Sequence, residues 1–376
     1  ENDGIGEGSS TSLREAIQLA GLSNHRILFT GTVFPETITL DKGQLGIPAD
    51  QPGLFIDASD IPNGVTISGN EMSRVFDIGQ TASLALHNLT ITLGKTSGVE
   101  NGGGIFINGR GTLALNDSTV TLNQTAASGG GIYVSEAGSA VVNHSTVSKN
   151  QAMSGGGIFS DKSMLVISGS VVSGNRTSGP AYSRIHGGGI ASDSGSLEIH
   201  SSAIVDNRVG DGTNSSSLGG GVYSIYGSAS IDNSTIANNS VGTRAEGTDG
   251  EDGRPTGGGV VAESGEKLTI RNTTITGNSS FGEVGGLISD GTSLILESSI
   301  ITGNIGSNNQ GDVYYYDFND QPIKHYGVSI IGAAGGSPEN PFEGATILSA
   351  DSMLAPLGTY GGPTPTMPPL PGSPAI

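Results

Sequence analysis

The chain has 376 residues, of which 63 are Gly and none is Cys or Trp, with 34% hydrophobic and 14% charged residues; this is too uncharged for ordinary disorder and too Gly-rich for a helical bundle, and it points to an all-β, turn-dense fold. The formal charge of −19 repels nucleic acid and anionic membrane and draws in cations, so nucleic-acid partners are not expected. The missing Cys removes disulfides, thiol catalysis and Cys-ligated zinc together, and no stretch reads as a signal peptide or a membrane span, so no direct membrane insertion is expected.

The first element is a short helix. In STSLREAIQLA the apolar residues Leu13, Ala16, Ile17 and Ala20 fall at helical spacing behind Ser12, a natural N-cap. The spacing predicts a capping helix within residues 1–22 that plugs the first turn of whatever follows. Strand-like stretches come next at Ile27 to Phe29, Ile38 to Leu40, Leu54 to Ile56 and Val65 to Ile67.

From residue 102 the chain repeats a phrase. Gly runs begin at Gly102, Gly129, Gly155, Gly187, Gly219 and Gly257, and a degenerate copy ends at Gly286. Each run leads into alternating apolar and small residues such as Ile105 and Ile107, the period of a strand with one buried face. A second strand ends on Leu115, Val142, Ile167, Ile199, Ile231, Ile270 and Leu296. Three residues later stands a Ser or Thr, five later a Val or Ile, and eight later always an Asn: Asn123, Asn150, Asn175, Asn207, Asn239, Asn278 and Asn304. Self-similarity of this kind marks a solenoid. Three short strands and three bends per phrase predict a single-stranded, right-handed parallel β-helix over residues 23–310, in which like residues stack into ladders about 4.8 Å apart. The Gly triplets read as corners that take positive φ and let coils approach closely; a phosphate-binding loop would need a following helix.

Past the Asn column the connection to the next Gly run lengthens at residues 176–186, 208–218 and 240–256. These loops leave one corner of consecutive coils and should cluster, and they hold Arg176, Tyr182, Arg184, His186, Arg244 and Arg254. A contact surface is one reading, and variable surface loops are the other. His186 with Arg184 and Tyr182 is the one compact set suited to a lyase base, whereas His144 and His200 read as isolated outward strand residues. The loop EGTDGEDGRPT crowds Asp249, Glu251 and Asp252 beside Glu246. No cofactor is expected; calcium is weighed for this loop against ion pairing with Arg176, Arg184 and Arg244, and the spacing is not that of an EF-hand.

The outward positions of the first strand hold Phe106, Tyr133, Phe159 and Tyr223, broken by Ala191. Such a row could serve as a platform for a sugar ring, or as an aromatic ladder that stabilises the sheet. Two residues on, the outward row includes Asp161, Asp193, Glu263 and Asp290, read either as turn formers or as calcium or glycosidase carboxylates. The segment 311–376, with Tyr314, Tyr315, Tyr316, Phe318 and Tyr326 and a Pro-rich end, is expected to cap the last coil, with aromatic sugar binding as the alternative.

The opening ENDGIGEGSSTSLREAIQLA, then VTISGN, the GGGI phrases and the closing LAPLGTYGGPTPTMPPLPGSPAI resemble large bacterial exported β-helix repeat proteins of the choice-of-anchor and polymorphic-outer-membrane-protein-like kind. The resemblance covers almost the whole chain. It implies the fold, an extracellular or cell-surface location and a sorting tail beyond GSPAI. It is weak for function, because similar coils carry adhesins, fibres and polysaccharide-degrading enzymes. The leading expectation is a structural or adhesive protein that contacts polysaccharide, cell-surface or matrix components through its loops, or associates with itself into filaments. The alternative is a polysaccharide lyase or glycoside hydrolase acting in a groove along the β-helix.

Overall fold

The computed structural model describes residues 11–23, 26–31, 37–49, 52–179, 184–210, 216–242, 256–282, 284–306, 311–316, 323–337, 342, 346–348 and 351–376. The chain winds as a right-handed parallel β-helix with three faces, whose sheets contain 11, 11 and 12 parallel strands in chain order. One coil shows the plan. Ile105–Ile107 lies on the first face, Thr112–Asn116 on the second and Thr119–Thr121 on the third. Its strands pair residue for residue with their equivalents before and after, as in Leu115 with Leu86 and Val142.

The corners are made by single residues in left-handed geometry. Between the second and third faces stand Asp117 (φ 46°), His144 (φ 46°), Ser201 (φ 49°) and Asn233 (φ 50°). A lone left-handed residue bends the chain from one face to the next without needing a loop. His144 is thus a corner residue and not the strand residue expected. The residue before each ladder Asn turns likewise, for example Leu122 (φ 58°), Asp206 (φ 58°) and Gly277 (φ 67°).

Two different demands account for the three glycines. The first takes positive φ, at 72° in Gly102 and 73° in Gly129. The others have no room for a side chain: a Cβ on Gly103 would lie 2.6 Å from the Gln124 carbonyl oxygen, and one on Gly104 would lie 2.7 Å from that of Gly131 and 2.9 Å from the Asn123 side chain. Only the first therefore uses the left-handed freedom of Gly, while the next two allow close approach.

Inside, the alternating residues of all three faces bury in one continuous core from Leu13 to Ile331. Two polar ladders run through it. The Ser118 column passes bonds from coil to coil: Ser145 N–H donates to Ser170 Oγ at 3.0 Å, and Ser170 Oγ–H donates to the Ser168 carbonyl at 2.7 Å. In the Asn column, Asn207 Nδ2 donates back to the Val172 carbonyl (2.9 Å) and onward to Asn239 Oδ1 (3.0 Å). Its Oδ1 accepts from the backbone and side-chain nitrogens of Asn175. Each amide thus ties three coils together, and because the acceptor must be oxygen to receive a backbone N–H, every amide points the same way.

The ladder ends on a carboxylate. Asp312 occupies the place of the third Gly, and its Oδ1 accepts from both nitrogens of Asn304 at 2.9 Å while Oδ2 accepts from Ala333 N–H. Where no further Asn follows, the space that a Gly would keep open is filled by an acceptor for the last amide. The aligned amides direct their N–H groups toward this end, where a negative charge is favoured for the reason it is favoured at a helix N-terminus.

Leu13–Ser23 forms the expected helix, capped reciprocally by Ser12 Oγ, which accepts from Glu15 N–H (3.2 Å), and by Glu15 Oε2, which accepts from Ser12 N–H (2.8 Å). Leu13, Ile17 and Ala20 join the core. The coils start well before residue 102, with first-face strands at Leu45–Ile47 and Phe76–Ile78. Past residue 311, where a capping segment is expected, Val313–Tyr316, Lys324–Tyr326, Val328–Ile331, Ala334–Ser337 and Thr346–Leu348 extend the same three sheets. Tyr315 is buried in the core and is not a capping aromatic. The last segment runs back along the outside of the third face as a narrow hairpin with antiparallel bridges Leu354 to Pro369 and Gly358 to Thr366. Leu357 and Met367 rest on Ala203, Val205 and Ala237. The Pro residues that keep this segment out of the parallel sheets suit a strap laid across them.

Candidate functional site

The outward row of the first face is a column of rings. Phe106 and Tyr133 lie with centroids 5.6 Å apart at 15°, and Tyr133 and Phe159 lie 5.5 Å apart at 9°. Rings stacked along the axis occupy each other's faces and turn their edges outward, so Tyr133 cannot offer a face to a sugar. The outer face of Phe106 is covered by the Arg74 guanidinium, 5.0 Å from the ring centroid. Arg74 stands where the next coil has Gly103 and is held by the carbonyls of Gly102 (2.9 Å) and Asn101 (2.6 Å), by Gln44 and by Asp77. Sequence reading passed over it. Its signal was SRVFDIG in the position of GGGIFIN, an Arg where the repeat asks for Gly. The geometry agrees with an aromatic ladder rather than a platform.

At Ala191 the column is completed from the side. His186, which leads into the same coil, stacks on Tyr223 at 4.4 Å and 21°. Tyr223 is buried and donates its hydroxyl to Glu263 Oε2 at 2.8 Å, and Glu263 is itself only 3% exposed. The loops do cluster where they are described: Arg184–His186 pairs in parallel with Ser216–Leu218. Leu218 then packs with Tyr223, Val261 and Ile288, so this pair of parallel strands is a side wall seated on the first face.

Beside the rings, Asp161 and Asp193 are register neighbours, about one strand spacing apart. Tyr133 donates to Asp161 Oδ2 at 3.1 Å. Burial foremost, and then the Asp161 and Asp193 charges, raise the Tyr133 pKa far above its ordinary value, so the phenol keeps its proton and remains a donor.

A second polar group lies near the N-terminal end of the second face. His87 Nδ1 is 3.3 Å from Asp57 and Nε2 is 3.1 Å from Asp117, while Arg26 lies 3.6 Å from Asp57 and over the Phe55 ring. Each His nitrogen faces a different carboxylate, which is an ion-pair arrangement and not a chelate. Burial raises the Asp57 pKa, but hydrogen bonds from Ser59 and the charges of His87 and Arg26 outweigh it and hold the group below its usual value. A carboxylate whose folded pKa is depressed favours folding above its unfolded pKa of about 3.9, and that share is lost as pH falls through the folded value. Thermal melts of wild type and Asp57→Asn are expected to diverge at neutral pH and to converge below pH about 4; parallel curves across the whole range would remove Asp57 from the acid response. His200 is likewise not isolated, being 3.3 Å from Glu198 and 3.9 Å from Asp232.

Of the residues singled out in the sequence, Arg176 lies exposed on the two-residue strand Arg176–Thr177, in register with Arg208. Tyr182, Arg244, Asp249, Glu251, Asp252 and Arg254 lie outside the described residues, as does the side chain of Arg184. Among the described residues no group of three or more His, Asp or Glu side chains is arranged to hold a metal ion. No helix among them is long and apolar enough to cross a membrane. No protein-family model, curated protein or solved structure matches the chain.

Proposed function

We propose that the chain is the rod of an extracellular or bacterial cell-surface protein, acting by contact with polysaccharide or matrix components rather than by turnover. The observation that carries this reading is the unbroken Asn ladder from Asn123 to Asn304, which makes the body a stiff, internally bonded scaffold. The side wall around Arg184–His186 and Ser216–Leu218 then serves as the contact surface that a rigid rod presents at a distance. His186 and Tyr223 support that wall by stacking. Association of rods into filaments is compatible with the same role.

A second reading, glycoside hydrolysis, is favoured by the adjacent Asp161 and Asp193, since retaining glycosidases place two carboxyl groups about 5–5.5 Å apart. The two readings separate when the protein is incubated with bacterial wall and matrix polysaccharides while bound protein, reducing ends and unsaturated uronide absorbance are followed. Retention without product is expected. Product that disappears in Asp161→Asn or Asp193→Asn would replace the adhesive reading by a hydrolase, and product that disappears in His186→Ala would replace it by a lyase. Failure of the folded protein to be retained on any preparation would also overturn it.

A further inference from the structure

We propose that the third face is an ice-binding surface, formed by the two outward rows of its T-x-T strands. The strands read TIT at 37–39, TIT at 90–92, TVT at 119–121 and TVS at 146–148. In register, Thr90, Thr119 and Thr146 form one row, and Thr121, Ser148 and Ser173 form the other. The rows repeat every 4.8 Å or so along the axis and stand about 6.7 Å apart across the strand, two residues of about 3.3 Å each. This two-dimensional repeat is close to that of the oxygen atoms on a prism face of ice.

Charge is kept off this surface. No outward position of a third-face strand from Thr37 to Thr302 is charged, in a chain of net charge −19. The other faces carry Asp161, Asp193, Arg271 and Glu297. A charged side chain would impose its own hydration shell, whereas a hydroxyl and a methyl can join an ordered water lattice. The array is also rigid before it meets any ligand. Thr is stiff at χ1, Ser148 Oγ donates to Thr121 Oγ1 at 3.2 Å, and the strands beneath are paired on both sides. Little entropy remains to be lost on binding.

The same face is already an interface farther along. Under the C-terminal hairpin the outward residues include Ala203, Val205 and Ala237 beside Thr235. The hydroxyl rows persist where Thr119, Thr121, Thr146 and Ser148 are partly exposed. The covered part mixes these apolar residues with hydroxyls already bonded to the C-terminal segment, Thr235 to Thr366 and Thr302 to Ser352, and the open part is a hydroxyl lattice. A flat lattice has no pocket to enclose a single sugar, so its ligand is itself a crystal surface. The inference does not depend on the side wall of the first face.

Slow growth of ice from a dilute solution of the full chain tests it, with thermal hysteresis measured in parallel. Wild type is expected to enter the ice and to hold a hysteresis gap. Thr119→Lys and Thr146→Lys, checked for unchanged melting, should abolish both effects, while Ser196→Lys on the second face should leave both intact. Exclusion of the folded wild type from ice overturns the proposal, as does full hysteresis in both third-face variants or equal loss in Ser196→Lys. Sedimentation with crystalline chitin or cellulose by a chain that ice excludes would also overturn it and assign the lattice to a polysaccharide.

Discussion

Asn207→Ala is expected to destabilise the solenoid by about 2–4 kcal/mol, since it leaves a buried backbone donor without a partner and cuts a polar ladder in mid-course. Asn207 is 0% exposed. The backbone N–H of Asn175 donates to its Oδ1 at 3.0 Å. Asn175 Nδ2 also loses one acceptor while keeping the carbonyl of Val147. Asn207→Asp should cost more: the carboxylate still accepts from Asn175, but it faces Asn239 Oδ1 and the Val172 carbonyl with no proton to donate. The control is Asn143→Ala, whose amide makes a half-exposed bond to Asn116 at 3.2 Å on the outside of the second face and should shift stability by less than about 0.5 kcal/mol. Urea midpoints at constant slope report the differences. Equal costs for Asn207→Ala and Asn143→Ala would show that the buried ladder does not bind the coils together.

Gly131→Ala should be costlier still, above about 3 kcal/mol, with much of the chain failing to fold. The added methyl would lie 2.7 Å from the Gly157 carbonyl oxygen and 3.0 Å from Asn150 Nδ2. The first is backbone of the next coil and the second belongs to the ladder, so neither yields unless the coils part. Gly98→Ala separates crowding from backbone strain. Gly98 has φ +65° and nothing within 4 Å of the added atom, so only the left-handed penalty of about 1–2 kcal/mol applies. If circular dichroism melts place the two variants together, close approach is not the reason for the second and third glycines.

Repetition made most of the fold legible. A residue that returns at the same place in every coil reports a position in the fold rather than a local preference, and the Asn, Ser and Gly columns are of that kind. What failed to repeat was misread for the same reason. The coil through Phe76–Ile78 lacks the Gly run because Arg74 stands at its second position and lays its side chain over Phe106. The segment past 311 reads as a cap because its aromatic cluster and Pro-rich end break the repeat, although its strands extend the same sheets.

The sequence by itself determined the winding: the apolar alternation sets three inward-facing strands per coil, and the glycines and asparagines set how closely coils can lie. Only the tertiary structure decided the surface. Whether Phe106, Tyr133 and Phe159 offer faces or edges depends on how neighbouring coils align, and they stack face to face along the axis. That His186 fills the gap at Ala191 depends on an insertion folding back over Tyr223. That the hairpin from residue 354 to 369 lies on Ala203 and Ala237 is a contact between segments far apart in the chain. Periodicity carries no information about such contacts, because each occurs once and its stability comes from surfaces that exist only after the coils have stacked.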